Sequence, residues 1–333
     1  MIALVTGGGG FLGLHIVEQL LEAGYTVRVL CRGQYARLER LGVGWIQGDI
    51  RKKNIVNQAC SDADIVFHVA ALAGIWGSWN LFHSINTEGT QNVIDACQEQ
   101  GVKKLVYTSS PSVVFDGEDQ INANEKLRYP EEFQAHYPHS KALAEQAVLA
   151  ANGNNLATCA LRPHLIWGPR DTQLIPRLIQ RAKSGRLRQV GDGTNVISMS
   201  YVENVAAAHI QAAAALSADS PVAGKAYFIN EPESVNCWEW INTLLARAGL
   251  PPITKRVSAS MAGTLGGIFE LIYKACFFLP GEPPMTPFLA SQLSTSHSYQ
   301  INNAIADFGY KPRFTVEEGL KKIEPELKKL AAE

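Results

Sequence analysis

Apolar residues along the first 110 positions alternate between two periods. Short runs rich in Val and Ile have the length and β-branched content of buried strands: "IALVT" (2–6), "TVRVL" (26–30), "GWIQGD" (44–49), "DIVFHVAA" (64–71) and "KLVYTSS" (104–110). Between them, "GLHIVEQLLEAG" (13–24) and "NTEGTQNVIDACQEQG" (86–101) repeat apolar positions at the helical period and stop at Gly24 and Gly101. Strands that alternate with helices pair in parallel through right-handed crossovers, so the pattern predicts an α/β fold built on a doubly wound parallel sheet. Further on, it predicts a helix over 137–151, a strand over "ATCALRPHLIWG" (157–168) and a helix over 174–184. The order then becomes less regular, which predicts a division near residue 165. Residues 1–165 form the main α/β body, which also receives segments near 195–230, and 166–333 form a smaller, mostly C-terminal lobe.

Composition narrows the functional classes. Lys and Arg number 30 against 31 Asp and Glu, a net charge of -1, so no global field draws nucleic acid. Six scattered cysteines without a C-x-x-C pair predict neither a disulfide framework nor a metal site and fit a reducing cytoplasm. The chain opens on "MIALVTGG" with no basic, apolar leader, so a cytoplasmic location is expected.

"TGGGGFLG" (6–13) stands where the first strand gives way to the first helix. Gly7, Gly10 and Gly13 fit a turn tight enough for backbone N–H groups and the helix N-terminus to face a pyrophosphate, with Phe11 and Leu12 within that turn also expected at the cofactor. Dinucleotide binding is expected. The second strand ends "VRVLCRG", with Cys31 and Arg32 where an NAD-binding chain would carry an acid on the ribose 2′-hydroxyl. Arg32 suits the 2′-phosphate of NADP, with Arg28 and Arg37 as helpers, although a solvated arginine would look the same. Asp49 and Ile50 at the end of the third strand, and Ala70 near the end of the fourth, are expected beside the cofactor, Asp49 near the adenine.

In "YPHSK", Tyr137 and Lys141 are i and i+4 on one helix face. A protonated Lys141 beside the phenol would lower its pKa, and Tyr137 could then act as a general acid to a carbonyl. With "TGGGGFLG", "HVAAL" (68–72), "NTEGTQNVIDAC" (86–97), "LVYTSSPSVVFDG" (105–117) and "ALRPHLIWGP" (160–169), the chain resembles the extended short-chain dehydrogenase/reductases, in their 3β-hydroxysteroid dehydrogenase branch. The resemblance implies Tyr137 as acid/base, Lys141 on the nicotinamide ribose, Ser110 on the substrate carbonyl and Pro163 beside the nicotinamide. Thr108 and Ser109 compete with Ser110, and Asn86 is either part of a structural hydrogen-bond network or a helix N-cap. The resemblance also implies a homodimer through helices such as 86–101 and 137–151.

Two apolar segments bear on the substrate. "GIWGSWNLF" (74–82) brings Trp76, Trp79 and Phe82 to the C-terminal edge of the sheet, where ligands bind. "MAGTLGGIFELIYKACFFLP" (261–280) is interrupted by Glu270 and Lys274, so it reads as a cap over the site, a helix lying on a membrane or meeting a pathway enzyme, or a helix packed on the main body. "PSVVFDG", "RPHLIWGP", "GRLRQVGDG" (185–193) and "PPMTPFLASQLSTSHSYQINNAIADFGYKPR" (283–313) narrow the resemblance to bacterial reductases of 2-alkyl-3-oxoalkanoates in long-chain olefin biosynthesis. That implies NADPH-dependent reduction of a large apolar ketone. A 3β-hydroxysteroid or C4-decarboxylating sterol dehydrogenase is the alternative, ahead of a sugar-nucleotide epimerase or a non-enzymatic cofactor sensor.

Overall fold

Seven parallel strands form the central sheet: β1 (Ile2–Thr6), β2 (Thr26–Cys31), β3 (Gly44–Gln47), β4 (Ile65–His68), β5 (Lys104–Thr108), β6 (Ala157–Pro163) and β7 (Lys225–Ile229). The computed structural model describes residues 1–276, 279 and 281–333. Their spatial order is β7-β6-β5-β4-β1-β2-β3. Thr6 at the end of β1 lies beside Leu30 of β2 on one side and His68 of β4 on the other. The chain therefore leaves β1 in one direction and returns to β4 on the opposite side, which opens a crevice between their carboxyl ends. The predicted doubly wound sheet is the observed one.

Helices cover both faces, which is why β1 and β4 are apolar almost throughout. On one face α1 (Phe11–Glu22) packs Ile16, Val17 and Leu20 against sheet residues such as Val5 and Val29. On the other, α2 (Lys53–Cys60), α3 (Gly89–Gln100) and α4 (His136–Ala150) pack Val56, Val93 and Val148 against Leu4, Val66 and Leu105. Between residues 166 and 275 follow α5 (Leu174–Lys183), α6 (Val202–Ala215), α7 (Cys237–Arg247) and α8 (Ala259–Ala275), and α9 (Pro287–Ser294) comes next. Alanine-rich α6 closes on α1, and a separate core gathers Trp167, Ile179, Trp238 and Leu244.

Three local departures from the sequence pattern position the site. The 157–168 run breaks after Pro163, because Leu165 has a left-handed backbone (φ 44°), and a short strand, Ile166–Trp167, pairs elsewhere with Ser200–Tyr201. The helix expected over 86–101 begins as a widened π turn, His83–Glu88, before α3. Finally, Gln120–Ala123 pairs in parallel with His297–Tyr299, a link across the chain that no local pattern announces.

Candidate active site

At the crevice, Gly7 has φ 72°, and a Cβ there would come within 2.9 Å of the Ala70 backbone. A Cβ on Gly13 would lie 2.2 Å from the Gly7 carbonyl oxygen. The turn closes with a Gly10 N–H bond to the Gly7 carbonyl at 2.9 Å, and Gly10 caps α1 without a side chain. The free N–H groups of the first turn, at Phe11 and Leu12, therefore start where the turn ends. A cleft beside it is lined by Gly7, Arg32, Tyr35, Asp49, Ile50 and Ala70, so the structure brings these predicted residues together. A backbone cradle that excludes side chains, next to a cleft with an exposed arginine, fits a dinucleotide.

The expected helpers of Arg32 do other work. Arg28 donates to the carbonyls of Ala59 and Ser61 at 3.0 and 2.5 Å, because its position on β2 faces the end of α2. Arg37 pairs with Glu18 at 2.6 Å. Asp49 accepts two side-chain bonds from Arg51, at 2.7 and 3.1 Å, and its backbone N–H at 2.9 Å, which hold its carboxyl below the usual range. Tyr35, unmarked by the pattern, lies so close over the loop that a Cβ on Gly9 would meet its ring at 2.3 Å.

Ser110 and Tyr137 line one cavity. The competing hydroxyls point elsewhere: Thr108 Oγ1 meets His209 Nε2 at 2.8 Å, and Ser109 is buried outside the cavity lining. Ser110 caps the helical turn Pro111–Val114 and sits 2.9 Å from Ser112 Oγ. Tyr137 stands at the first turn of α4, edge-on to Phe82 at 6.3 Å.

Lys141 lies one turn on and is 2% exposed. Its Nζ donates to the Thr108 carbonyl at 2.6 Å and rests 4.1 Å from the centre of the Tyr107 ring. Burial lowers its amino group to about 7, with Glu145 pulling it up. The phenol expected to be acidified by this lysine is instead raised above its ordinary value by burial, and what lowers it is the Ser110 hydroxyl. The reason is placement: Nζ is aimed at a strand-end carbonyl. Beneath it, Glu145 is bound by Arg162 of β6 at 2.5 and 2.9 Å and by the Tyr129 hydroxyl at 2.6 Å, a buried ion pair that fastens α4 to the sheet.

Asn86 belongs to a network and caps no helix. Its Oδ1 accepts from the Leu72 N–H at 2.7 Å, and its Nδ2 donates to the Leu72 carbonyl and to Ser140 Oγ, both at 3.0 Å. Nearby, Thr6 Oγ1 accepts the N–H groups of Val69 and Ala70 at 3.2 Å and so must donate to His68 Nδ1 at 2.7 Å. His68 Nε2 then carries the ring proton and donates to Thr90 at 2.9 Å, and burial lowers this ring to about 3.

A second cavity shares Gly74, Ile75, Leu165 and Leu289 with the one at Ser110 and Tyr137 and is walled by Leu174, Leu178, Leu187, Trp238 and Ile241. The aromatic loop supplies Gly74 and Ile75 to this lining, in place of the expected Trp76, Trp79 and Phe82. Trp79 sits instead among His83, His136 and His139, at ring distances of 5.0, 5.8 and 4.6 Å. Trp76 meets Tyr273 of α8 at 6.1 Å, so the two apolar segments touch. The 261–280 segment is helical to Ala275, and its Phe277, Phe278 and Pro280 lie outside the described residues. Pro163 ends β6 buried, next to His164, which lines the cavity with Tyr137. His164 had no assignment in the sequence, although it directly follows Pro163 in "RPHLIWGP". Among the described residues no cluster of His, Cys, Asp or Glu could hold a metal ion, and no helix is long and apolar enough to cross a membrane.

Residues 4–257 match the model of the 3-beta hydroxysteroid dehydrogenase/isomerase family. The 2-alkyl-3-oxoalkanoate reductase of Stenotrophomonas maltophilia (strain K279a) is 47% identical over 325 residues, covering 97% of this chain and 98% of that protein. The decarboxylating sterol-4-alpha-carboxylate 3-dehydrogenase of Mus musculus is 37% identical over 322 residues, covering 96% of this chain and 88% of that protein. Among solved structures, the UDP-glucose 4-epimerase of Thermus thermophilus in complex with NAD shares the fold at TM-score 0.74. It is 24% identical, over 98% of this chain and 99% of that one.

Proposed function

The chain belongs to the 3-beta hydroxysteroid dehydrogenase/isomerase family, and on that premise we propose that it reduces the 3-oxo group of a 2-alkyl-3-oxoalkanoate with NADPH. The observation that carries this reading is the largely apolar cavity that adjoins the one holding Ser110 and Tyr137 and shares Gly74, Ile75, Leu165 and Leu289 with it. The cofactor, when bound, supplies hydride to the carbonyl carbon. Ser110 would donate a hydrogen bond to the carbonyl oxygen and hold it for Tyr137, which gives that oxygen its proton as negative charge develops. Lys141, charged, would stabilise the phenolate left on Tyr137 and reach the nicotinamide ribose, with Pro163 beside the ring. Gly7, Gly10, Phe11, Leu12 and Gly13 would hold the pyrophosphate; Arg32 would take the 2′-phosphate, and Asp49, Ile50 and Ala70 would border the adenosine. Residues 1–165 with the returning segments near 195–230 form the cofactor part, and 166–333 supply most of the substrate walls.

The test is NADPH consumption with 2-alkyl-3-oxo acids, 3-ketosteroids and UDP-sugars offered in parallel. Selective turnover of the oxo acids is expected. Selective turnover of steroids would move the assignment to the sterol dehydrogenases, which the 37% relationship favours as the second reading. Turnover of UDP-sugars alone would overturn both.

The same reading gives α8 a role at the source of a greasy substrate. Met261, Leu265, Ile268, Leu271 and Ile272 are all exposed on it, and Arg181, Arg186 and Arg188 line the groove it forms with Leu265 and Tyr273. An apolar face rimmed by cations suits the surface of an anionic membrane. Sedimentation with anionic vesicles, lost in Leu271→Glu, is the expected result. A homodimer, as in the family resemblance, is expected in analytical ultracentrifugation.

A further inference from the structure

His164 is 6% exposed and lines the cavity that Ser110 and Tyr137 share. Its position is fixed twice: its backbone N–H donates to Ser200 Oγ at 2.9 Å, and Nδ1 lies 2.6 Å from the Ser198 carbonyl oxygen. A carbonyl only accepts, so Nδ1 carries the ring proton. The other nitrogen, Nε2, has no protein partner, yet it is not among the polar atoms sealed in protein. On a ring that lines the cavity, that leaves Nε2 open to the cavity. The neighbouring polar groups cannot become positive: the Tyr299 hydroxyl donates to Gln120 at 2.8 Å, Ser110 and Ser112 are hydroxyls 2.9 Å apart, and Gln292 is neutral.

We propose that His164 Nε2 is the subsite for the substrate's carboxyl group, holding it through one shared proton while the 3-oxo group meets Ser110 and Tyr137. This rests on the reading of the substrate as a 3-oxo acid. In such an acid a single carbon separates the carboxyl carbon from the carbonyl carbon, so one small chamber must receive both groups. Among the described residues lining the chamber with Tyr137, the side chain able to take positive charge is this imidazole; Arg177 and Arg181 line the adjoining cavity, which contains neither Ser110 nor Tyr137.

The free ring is neutral, because burial lowers it to about 4 while the Ser198 carbonyl pulls it up. The titratable groups against it bring no fixed charge: the His297 ring stands at 5.4 Å and is itself lowered by burial, and the Tyr299 ring stands at 5.5 Å. Tyr137 in the same cavity is held protonated, and Arg162, two residues back, is paired with Glu145. A neutral imidazole and a carboxylate do not attract until a proton joins them. Binding of the acid therefore takes up one proton, and its apparent Kd rises about tenfold per pH unit above neutrality.

The test is calorimetry on the 2-alkyl-3-hydroxy acid and on the chain-matched secondary alcohol that lacks the carboxyl, in two buffers of different protonation heat. Wild type should take up one proton with the acid and none with the alcohol. His164→Asn can keep the amide donor to Ser198 while removing the cavity-facing nitrogen. It should weaken the acid by about 10- to 100-fold, abolish the proton uptake and leave the alcohol within twofold. His164→Gln, the second variant, should recover part of the acid's affinity through a neutral hydrogen bond, still without proton uptake. Proton uptake that persists in either variant, or equal weakening of acid and alcohol, would overturn the subsite. Turnover of the oxo acid by wild type is read separately, so an enzyme that reduces the acid but binds it without proton uptake loses only the subsite.

Discussion

The Asn86 carboxamide closes a two-way hydrogen bond with the Leu72 backbone, accepting its N–H at 2.7 Å and donating to its carbonyl at 3.0 Å. The remaining amide hydrogen reaches Ser140, whose hydroxyl donates to the Tyr137 carbonyl at 2.8 Å. The loop after β4 is thereby tied to the helix turn that carries Tyr137. Asn86→Ala would leave both Leu72 groups without their partner, at a cost of about 2–4 kcal/mol. Urea unfolding should show a lower midpoint at unchanged slope. An unchanged midpoint would mean that water replaces the amide fully.

Tyr137→Phe removes one oxygen from the cavity and little packing, since the ring contact with Phe82 stays. Turnover should fall by roughly 10²- to 10⁴-fold, as when a general acid is lost, with NADPH affinity nearly intact. Fluorescence titration of the cofactor alongside steady-state rates separates the two effects. Normal turnover would remove Tyr137 from the proton path.

Arg32 is the exposed cation of the cleft beside the glycine turn, now that Arg28 and Arg37 are seen to bind other partners. Arg32→Ala should raise the Michaelis constant for NADPH by about 10- to 100-fold, the loss of a charged hydrogen bond, and leave that for NADH within about twofold. Equal effects on both cofactors would mean that Arg32 does not read the 2′-phosphate.

The sheet was legible in the sequence because its strands are buried on both faces, so that each run is continuously apolar. The glycine turn was legible because a close backbone approach excludes every side chain but one. What stayed hidden depends on the third dimension. Arg28 looked free because its partners, the carbonyls of Ala59 and Ser61, carry no sequence signal. Trp79 looked like a pocket wall because its loop ends at the right edge of the sheet, yet the loop turns its ring onto His139. Most of the actual walls, among them Leu178, Trp238 and Leu293, come from three helices far apart in the chain, and their periodicity is that of any core.

Lys141 makes stability depend on pH in a predictable sense. Its folded value is near 7, against an ordinary 10.5, so between these values the unfolded chain binds more protons than the folded one. Stability should therefore rise with pH across that window, and the cost of burying the charge is fully present below pH 7. Lys141→Met removes the titration, so its stability relative to wild type should be greatest near pH 6.5 and decline toward pH 10. Urea unfolding of both proteins across this range checks the sign. A difference that does not change with pH would place the amino group's titration elsewhere.

The apolar cavity predicts how rate depends on chain length. Each methylene that enters it should improve catalytic efficiency by up to about 0.8 kcal/mol, roughly fourfold, until the walls are reached. Leu178 stands among the outer walls, away from Ser110 and Tyr137, so Leu178→Trp should leave short 2-alkyl-3-oxo acids unaffected and end the climb at a shorter chain. Trp79→Ala should leave the dependence unchanged, because that ring packs on histidines outside the lining. Efficiencies measured over a series of chain lengths, below each substrate's aggregation limit, decide between the two surfaces. If Trp79→Ala flattened the climb and Leu178→Trp did not, the chains would run under the aromatic loop, and the cavity walled by Leu178 would lose its role.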